Sequence, residues 1–209
     1  MMWHDVEQNT PEWEALKLGK PSSSSYGKFM ANYGKAFGEP AHRYALQIAL
    51  EQITGRKAER SFKNDEMERG HEEEPLALMK YQEQSFVEVS NGGFFDCGLW
   101  GDSPDGLVDH DGVIEIKSVI ATTHEATINR GKFDPSYKWQ MVGHLDATGR
   151  DWVDFVSFCP DYPEHSELIV LRTYRDDMAE ELAQLAERRT EFLELIQTKR
   201  NEIELRNAA

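Results

Sequence analysis

Apolar residues recur at helical spacing near both ends of the 209-residue chain and at strand spacing through its middle. Thr10-Pro11-Glu12 reads as an N-cap, a proline at the first helical position and an early acid. It predicts a short helix through Trp13, Leu16 and Lys17, stopped by Gly19-Lys20-Pro21. From Pro40 to Thr54, Ala41, Tyr44, Ala45, Ile48 and Ala49 keep one face, and Gly55 ends the run. Asp65 to Gln84 predicts a long helix with Met67, Gly70, Glu74, Leu78 and Tyr81 near one face. Pro75 inside it predicts a kink or a restart.

The period then changes. Phe86–Val89, Phe94–Trp100, Gly106–Asp109 and Val113–Lys117 read as short strands, the last two joined by the tight turn Asp109-His110-Asp111-Gly112. Trp152–Phe158 and Leu168–Leu171 are two further strands, and Lys138–Thr148 is helical. Asp176–Asn207 closes the chain as one amphipathic helix striped by Leu182, Leu185, Phe192, Ile196 and Ile203. Arg189 and Lys199 fall on that seam, which favours packing against the domain's own sheet over a coiled coil. The order of elements predicts an α/β fold, one central sheet flanked by helices, within a single domain spanning 1–209.

Composition narrows the class. Charged residues make up 29% and the chain carries 5 Trp, 7 Tyr and 10 Phe, which excludes wholesale disorder. No apolar run is long enough to span a membrane, and Met1–Asp5 lacks the basic and apolar regions of a signal peptide. Cys97 and Cys159 make no disulfide framework, so a cytoplasmic setting is expected. The net charge of −15 argues against a protein that simply coats nucleic acid. The charge is uneven, however. Ala15–Lys63 holds nine basic residues against three acids, or +6, which leaves −21 elsewhere. That segment offers an anion a place to bind; it equally fits a stretch of lysines and arginines facing water.

The chemically informative stretch is Ser103-Pro104-Asp105-Gly106-Leu107 followed by Glu115-Ile116-Lys117. A hairpin places carboxylates ten residues apart near the same end of adjacent strands. Residues two apart on a strand share a face, so Glu115 and Lys117 point one way and Ile116 points into the opposite, apolar face. Hard divalent cations want such oxygen ligands, and Mg²⁺ needs only one or two carboxylates. A neighbouring lysine can orient or deprotonate the attacking water and offset charge on a phosphate. Alone, Glu-x-Lys also fits an ordinary surface strand.

With its upstream Pro-Asp, the pattern resembles the PD-(D/E)xK nuclease superfamily, whose core is a mixed sheet flanked by helices. Other segments resemble one branch of it, the phage lambda exonuclease and YqaJ-type viral recombinase family. These are Trp13–Gly19 with the serine run Ser22–Ser25, Gly70–Glu74, and Tyr137-Lys138-Trp139-Gln140, in family order from about residue 8 to residue 175. The resemblance implies a Mg²⁺-dependent 5′→3′ exonuclease on linear double-stranded DNA that leaves 3′ overhangs for recombination. It implies two Mg²⁺ per site, with Mn²⁺ able to substitute. It also implies a homotrimeric ring, a phage single-strand annealing protein as partner, and a phage or prophage origin in a bacterial host.

By the same resemblance Asp105, Glu115 and the carbonyl of Ile116 would ligate metal, Glu74 would help hold a second ion, Lys117 would position the water, and Gln140 would orient Lys117 or the water. Lys17, Ser24 and Ser103 would meet the terminal 5′-phosphate, Lys28, Lys35 and Arg43 would line the DNA channel, and Met67 would wedge apart the terminal base pairs. Lys17 stands where the family has arginine, and a lysine cannot fork onto two phosphate oxygens, which implies weaker phosphate discrimination. A restriction- or repair-type endonuclease of the same fold is the alternative; a non-catalytic binding protein fits poorly with the complete set of Asp105, Glu115, Lys117 and Glu74. The seven scattered histidines read as ordinary surface or core residues.

Overall fold

The computed structural model describes residues 1–58 and 65–207, with the backbone alone at 65–68 and 71. Glu59, Arg60 and Lys63 of the basic segment, and the Met67 side chain, lie outside the described residues.

Five strands form the central sheet in the order β2 (Val89–Asn91), β5 (Gly106–Val108), β6 (Gly112–Ser118), β7 (Trp152–Phe158) and β8 (Leu168–Tyr174). All neighbours are antiparallel except β6 and β7, which makes the sheet mixed. Parallel strands need a crossover, and α5 (Ala121–Arg130) and α6 (Lys138–Thr148) supply it. A smaller antiparallel sheet holds β1 (Met2–His4), β3 (Phe94–Asp96) and β4 (Gly101–Asp102).

Strand alternation sorts the two faces of the large sheet. Ile114, Ile116, Val156 and Phe158 pack with Ala77 and Tyr81 of α4 (Asp65–Ser85). Val113, Val153 and Phe155 pack with Met141 and Leu145 of α6. Ile116 is therefore turned away from Glu115 and Lys117, as the period of two requires.

Most expected elements are present. α1 (Pro11–Lys17) is capped by the Thr10 side chain, which accepts from the Trp13 N–H. α3 (Glu39–Thr54) ends at Gly55, and α6 and β7 keep their expected bounds. α4 runs through Pro75 as one helix, with no restart. The strand expected at Phe86–Val89 lies further on. α4 continues to Ser85, and its last turn is closed by the Val87 N–H donating to the Gln82 carbonyl. Phe86 takes a left-handed φ of 57° and stands 93% exposed, so pairing begins only at Val89. The run Phe94–Trp100 is also not one strand. The Asp96 carboxylate accepts the Gly98 N–H at 2.8 Å, and this turn separates β3 from β4. β1 and α5 carried no clear periodic signal.

The closing helix α7 (Ala179–Asn207) packs chiefly on helices, where packing against the sheet was expected. Both sheet faces are already covered, by α4 and α6. Leu185, Phe192 and Ile196 instead enter a cluster with Tyr26 and Phe29 near α2 (Gly27–Met30), Tyr44 and Ile48 of α3, and Val142 of α6. Phe192 stacks on Phe29 at 4.5 Å and on Tyr44 at 5.5 Å between ring centroids. The charge on the seam is explained by partners. Arg189 pairs with Asp146 and lies 3.6 Å over the Trp100 ring, and Lys199 pairs with Glu202 at 3.0 Å.

Candidate active site

The site is built on the β5–β6 hairpin. Its register sets Gly106 opposite Ile114, which brings Asp105 to the backbone around Glu115. The Asp105 N–H donates to the Ile114 carbonyl at 3.2 Å, and its Oδ2 accepts the Ile116 N–H at 2.7 Å. The approach is tight on the far side too. A side chain at Gly92 would meet the Pro104 carbonyl at 1.8 Å, so only glycine lets the link between β2 and β3 pass the Pro-Asp turn.

Glu115 is 2% exposed and has donors on both oxygens. Oε1 accepts from Lys117 Nζ and from Gln140 Nε2, each at 2.5 Å. Oε2 lies 2.8 Å from His144 Nε2, and His144 Nδ1 lies 2.7 Å from Asp102 Oδ2. Only a doubly protonated imidazole donates to two carboxylates at once. Burial alone would lower the pKa of His144; Asp102 and Glu115 outweigh it and push it up to about 10. Burial alone would raise Glu115, but Lys117 and His144 bring it down to about 2.

Asp105 is held oppositely. Burial, the Glu115 charge and the Glu74 charge raise it well above the ordinary carboxylate range, against the pull of Lys117. Lys117 is raised, because Glu115 and Asp105 overcome its burial, and its ammonium lies 5.5 Å from the Tyr137 ring centre. It is therefore a fixed cation at neutral pH.

The expected carboxylates, Lys117 and Gln140 thus come together, and Glu74 on α4 is within electrostatic reach of Asp105. His144 departs from the ordinary role expected of the histidines, and Asp102 joins it; neither was expected at the site. The available signal was helical spacing, since His144 lies one turn after Gln140 on α6.

The residues expected at the terminal phosphate lie next to this network. Lys17 is lowered by burial and by Lys57, and Asp102 is the strongest attraction on it. Its ammonium sits 4.3 Å over the Trp13 ring. The Ser103 hydroxyl is already engaged: it accepts from Trp13 Nε1 at 2.8 Å and donates to the Gly93 carbonyl at 2.5 Å. Ser24 is exposed in the one-turn helix Ser23–Ser25, which rests on α6 at Gly143. Lys28, Lys35 and Arg43 are exposed, outside the hydrogen-bonded site; Lys28 covers Tyr44 and Arg43 pairs with Glu39.

Among the described residues, no group of three or more His, Cys, Asp or Glu is arranged as a ready metal cage. Asp105 and the buried Glu115 nevertheless supply two neighbouring carboxylates, and desolvation together with the Glu115 and Glu74 charges raises Asp105. Mg²⁺ needs no more protein carboxylates than these, since water and phosphate complete its shell. The donor set fits a hard divalent ion.

Residues 12–151 match the model of the YqaJ-like viral recombinase domain. The chain belongs to that family. Among solved structures it is similar to an alkaline exonuclease from Laribacter hongkongensis, LHK-Exo, at 31% identity and a TM-score of 0.84, covering 95% of this chain and 98% of that one. A second structure of LHK-Exo, in complex with dAMP, aligns at 34% identity with a TM-score of 0.81 over 95% and 98% of the two chains. A phage-related exonuclease from Haemophilus somnus 129PT shares the fold at 16% identity and a TM-score of 0.66, over 91% of this chain and 96% of that one. A search of curated protein sequences returns no match. The mixed central sheet, flanking helices and long closing helix of this family member agree with the expected α/β nuclease core. No helix among the described residues is long and apolar enough to cross a membrane.

Proposed function

We propose that this chain, a DNA exonuclease of the phage-recombination type, degrades one strand of linear double-stranded DNA from the 5′ end in a Mg²⁺-dependent reaction and leaves 3′ overhangs for strand annealing. The observation that carries the reading is the meeting of Asp105, the buried Glu115 and the partly exposed Lys117 at one hairpin. The dAMP bound to LHK-Exo, a deoxynucleoside monophosphate, fits release of mononucleotides.

Asp105, Glu115 and the Ile116 carbonyl would hold Mg²⁺, or Mn²⁺ in its place, with Glu74 helping to hold a second ion. Bound there, the metal supplies a Lewis acid and a water of lowered pKa. Lys117, kept as an ammonium by its carboxylates, would donate to the attacking water and offset charge on the scissile phosphate; it has no free pair with which to take a proton. Gln140 would hold the same carboxylate from α6. Lys17 and Ser24 would receive the 5′-phosphate, and Lys28, Lys35 and Arg43 would track the duplex, where phosphate contacts carry most of the affinity. Ser103 would act there by holding Trp13 in place beneath Lys17. A homotrimeric ring and a phage single-strand annealing partner complete the proposal.

The deciding experiment incubates linear and covalently closed circular plasmid with Mg²⁺ or with EDTA. The expected outcome is mononucleotides from linear DNA with Mg²⁺ alone. Equal cleavage of the closed circle would instead make the enzyme an endonuclease. Sedimentation of the purified protein tests the trimer.

A further inference from the structure

Glu115 is held from two directions by side chains that converge from different layers of the fold. Gln140 and His144 stand one turn apart on α6 and reach different oxygens of the same carboxylate. Asp102 reaches the far side of the His144 ring from β4, in the smaller sheet. Asp102, His144 and Glu115 are all buried, so no water competes for these bonds.

Each carboxylate oxygen can accept about two hydrogen bonds. Lys117 and Gln140 fill Oε1, whereas His144 takes one position on Oε2 and leaves one open. A pivoting carboxylate would present its oxygens to a cation at random; one pinned at three points presents the same lone pair each time. We propose that His144, gripped by Asp102, is a positioning residue that fixes Glu115 so that Oε2 offers its remaining lone pair to a divalent cation. The inference rests on Glu115 being a metal ligand, as argued above. It adds a chain of two residues, His144 from α6 and Asp102 from the smaller sheet, through which the small sheet sets the geometry of the metal site. Partners that orient a ligand in this way typically contribute about 10- to 100-fold in metal affinity.

A network that only satisfied buried polar groups would make the same contacts, so the test separates the two legs of the imidazole. Mn²⁺ affinity is read from the electron paramagnetic resonance of the free ion, without DNA, for the wild type, E115Q, D102N/H144Q and D102N/H144N. The two double variants carry the same charge and differ in reach. Glutamine places a donor near the position of Nε2 and keeps the bond to Glu115, whereas asparagine reaches only as far as Nδ1. D102N/H144Q is expected within about threefold of the wild type and D102N/H144N about tenfold or more weaker. Equal affinities in the two, with E115Q weakened, overturn the positioning role alone. Unchanged binding by E115Q overturns the ligand reading and the proposal with it. If D102N/H144N does not fold, the single variants H144Q and H144N decide: near wild-type affinity in H144Q with a tenfold loss in H144N supports the role, and equal affinities in the two overturn it.

Discussion

Lys117 Nζ donates to Glu115 Oε1 at 2.5 Å from the same face of β6. The pair neutralises a charge that burial would otherwise make costly, and holds the ammonium beside Asp105. Lys117→Ala should therefore lose hydrolysis without losing the fold, because the lysine is partly exposed and its removal opens space to solvent. The expected loss in rate is about 10²–10⁴-fold, with binding of linear duplex retained. The measurement is single-turnover release of labelled mononucleotide beside a gel-shift titration. Full rate in the variant would remove Lys117 from the chemistry.

Gly143 is the contact between α6 and the serine turn. A Cβ there would stand 2.6 Å from Ser23 Cβ and 3.0 Å from the Tyr26 ring. Both neighbours are buried, so neither can simply swing aside. Gly143→Ala should cost about 1–3 kcal/mol in urea unfolding, as overpacking does. By pushing the turn away from α6 it should also reduce the preference for 5′-phosphorylated over 5′-hydroxyl DNA. A normal preference in a destabilised variant would separate the serine turn from phosphate recognition.

Lys17 gives a sharper test of the same pocket. Its half-buried ammonium is attracted by Asp102 and covers Trp13, but it is a point charge where a guanidinium could form two parallel bonds. Rates on 5′-phosphorylated and 5′-hydroxyl duplex should differ modestly in the wild type, more in Lys17→Arg, and not at all in Lys17→Ala. Strong discrimination that Lys17→Ala leaves intact would place phosphate recognition elsewhere.

The hairpin that carries Asp105 and Glu115 was legible because its geometry is local. A tight turn and the period of two suffice to bring Asp105 to Glu115 and to turn Ile116 the other way. The His144–Asp102 pair was not legible for the opposite reason. These residues lie 42 positions apart, on a helix over one sheet and a strand of another, and nothing local in either segment signals the contact. The seat of α7 was missed through competition: its stripe was plain, but a stripe does not say which apolar surface remains free once α4 and α6 have covered the sheet. Phe86 shows a third kind of limit. Its β-favouring side chain was overruled by the end of α4, whose last hydrogen bond leaves it left-handed and exposed.

On the other face of the sheet, Asp154 is fully buried and accepts two bonds from Arg172, each 2.8 Å, and one from the Tyr81 hydroxyl at 2.7 Å. Arg172→Ala leaves that carboxylate with only a phenol. The expected loss is about 3–5 kcal/mol, the cost of stranding a buried charge. Asp154→Asn in the same background should recover part of it, since the charge is then gone. Urea unfolding of the three chains checks this, and an additive rather than compensating double variant would argue against a coupled pair.

The buried imidazole gives the metal-free chain a signature in its pH dependence. His144 faces Asp102 from β4 and Glu115 from β6, and its pKa rises from the ordinary 6.5 to about 10 on folding. A group raised on folding stabilises the native state fully below its unfolded pKa, and that contribution is lost as the pH climbs through the folded value. In EDTA the melting temperature should therefore fall between about pH 6.5 and pH 10, and His144→Gln should flatten the slope across that window. Glu115 acts with the opposite sign at the acid end. It is lowered from 4.5 to about 2, so its contribution is present above 4.5 and is lost as the pH falls through 2. Thermal melts of the wild type and His144→Gln from pH 2 to pH 10.5 separate the two limbs. The substitution should change the slope of the alkaline limb, and identical alkaline slopes would mean that the imidazole is not charged between its two carboxylates.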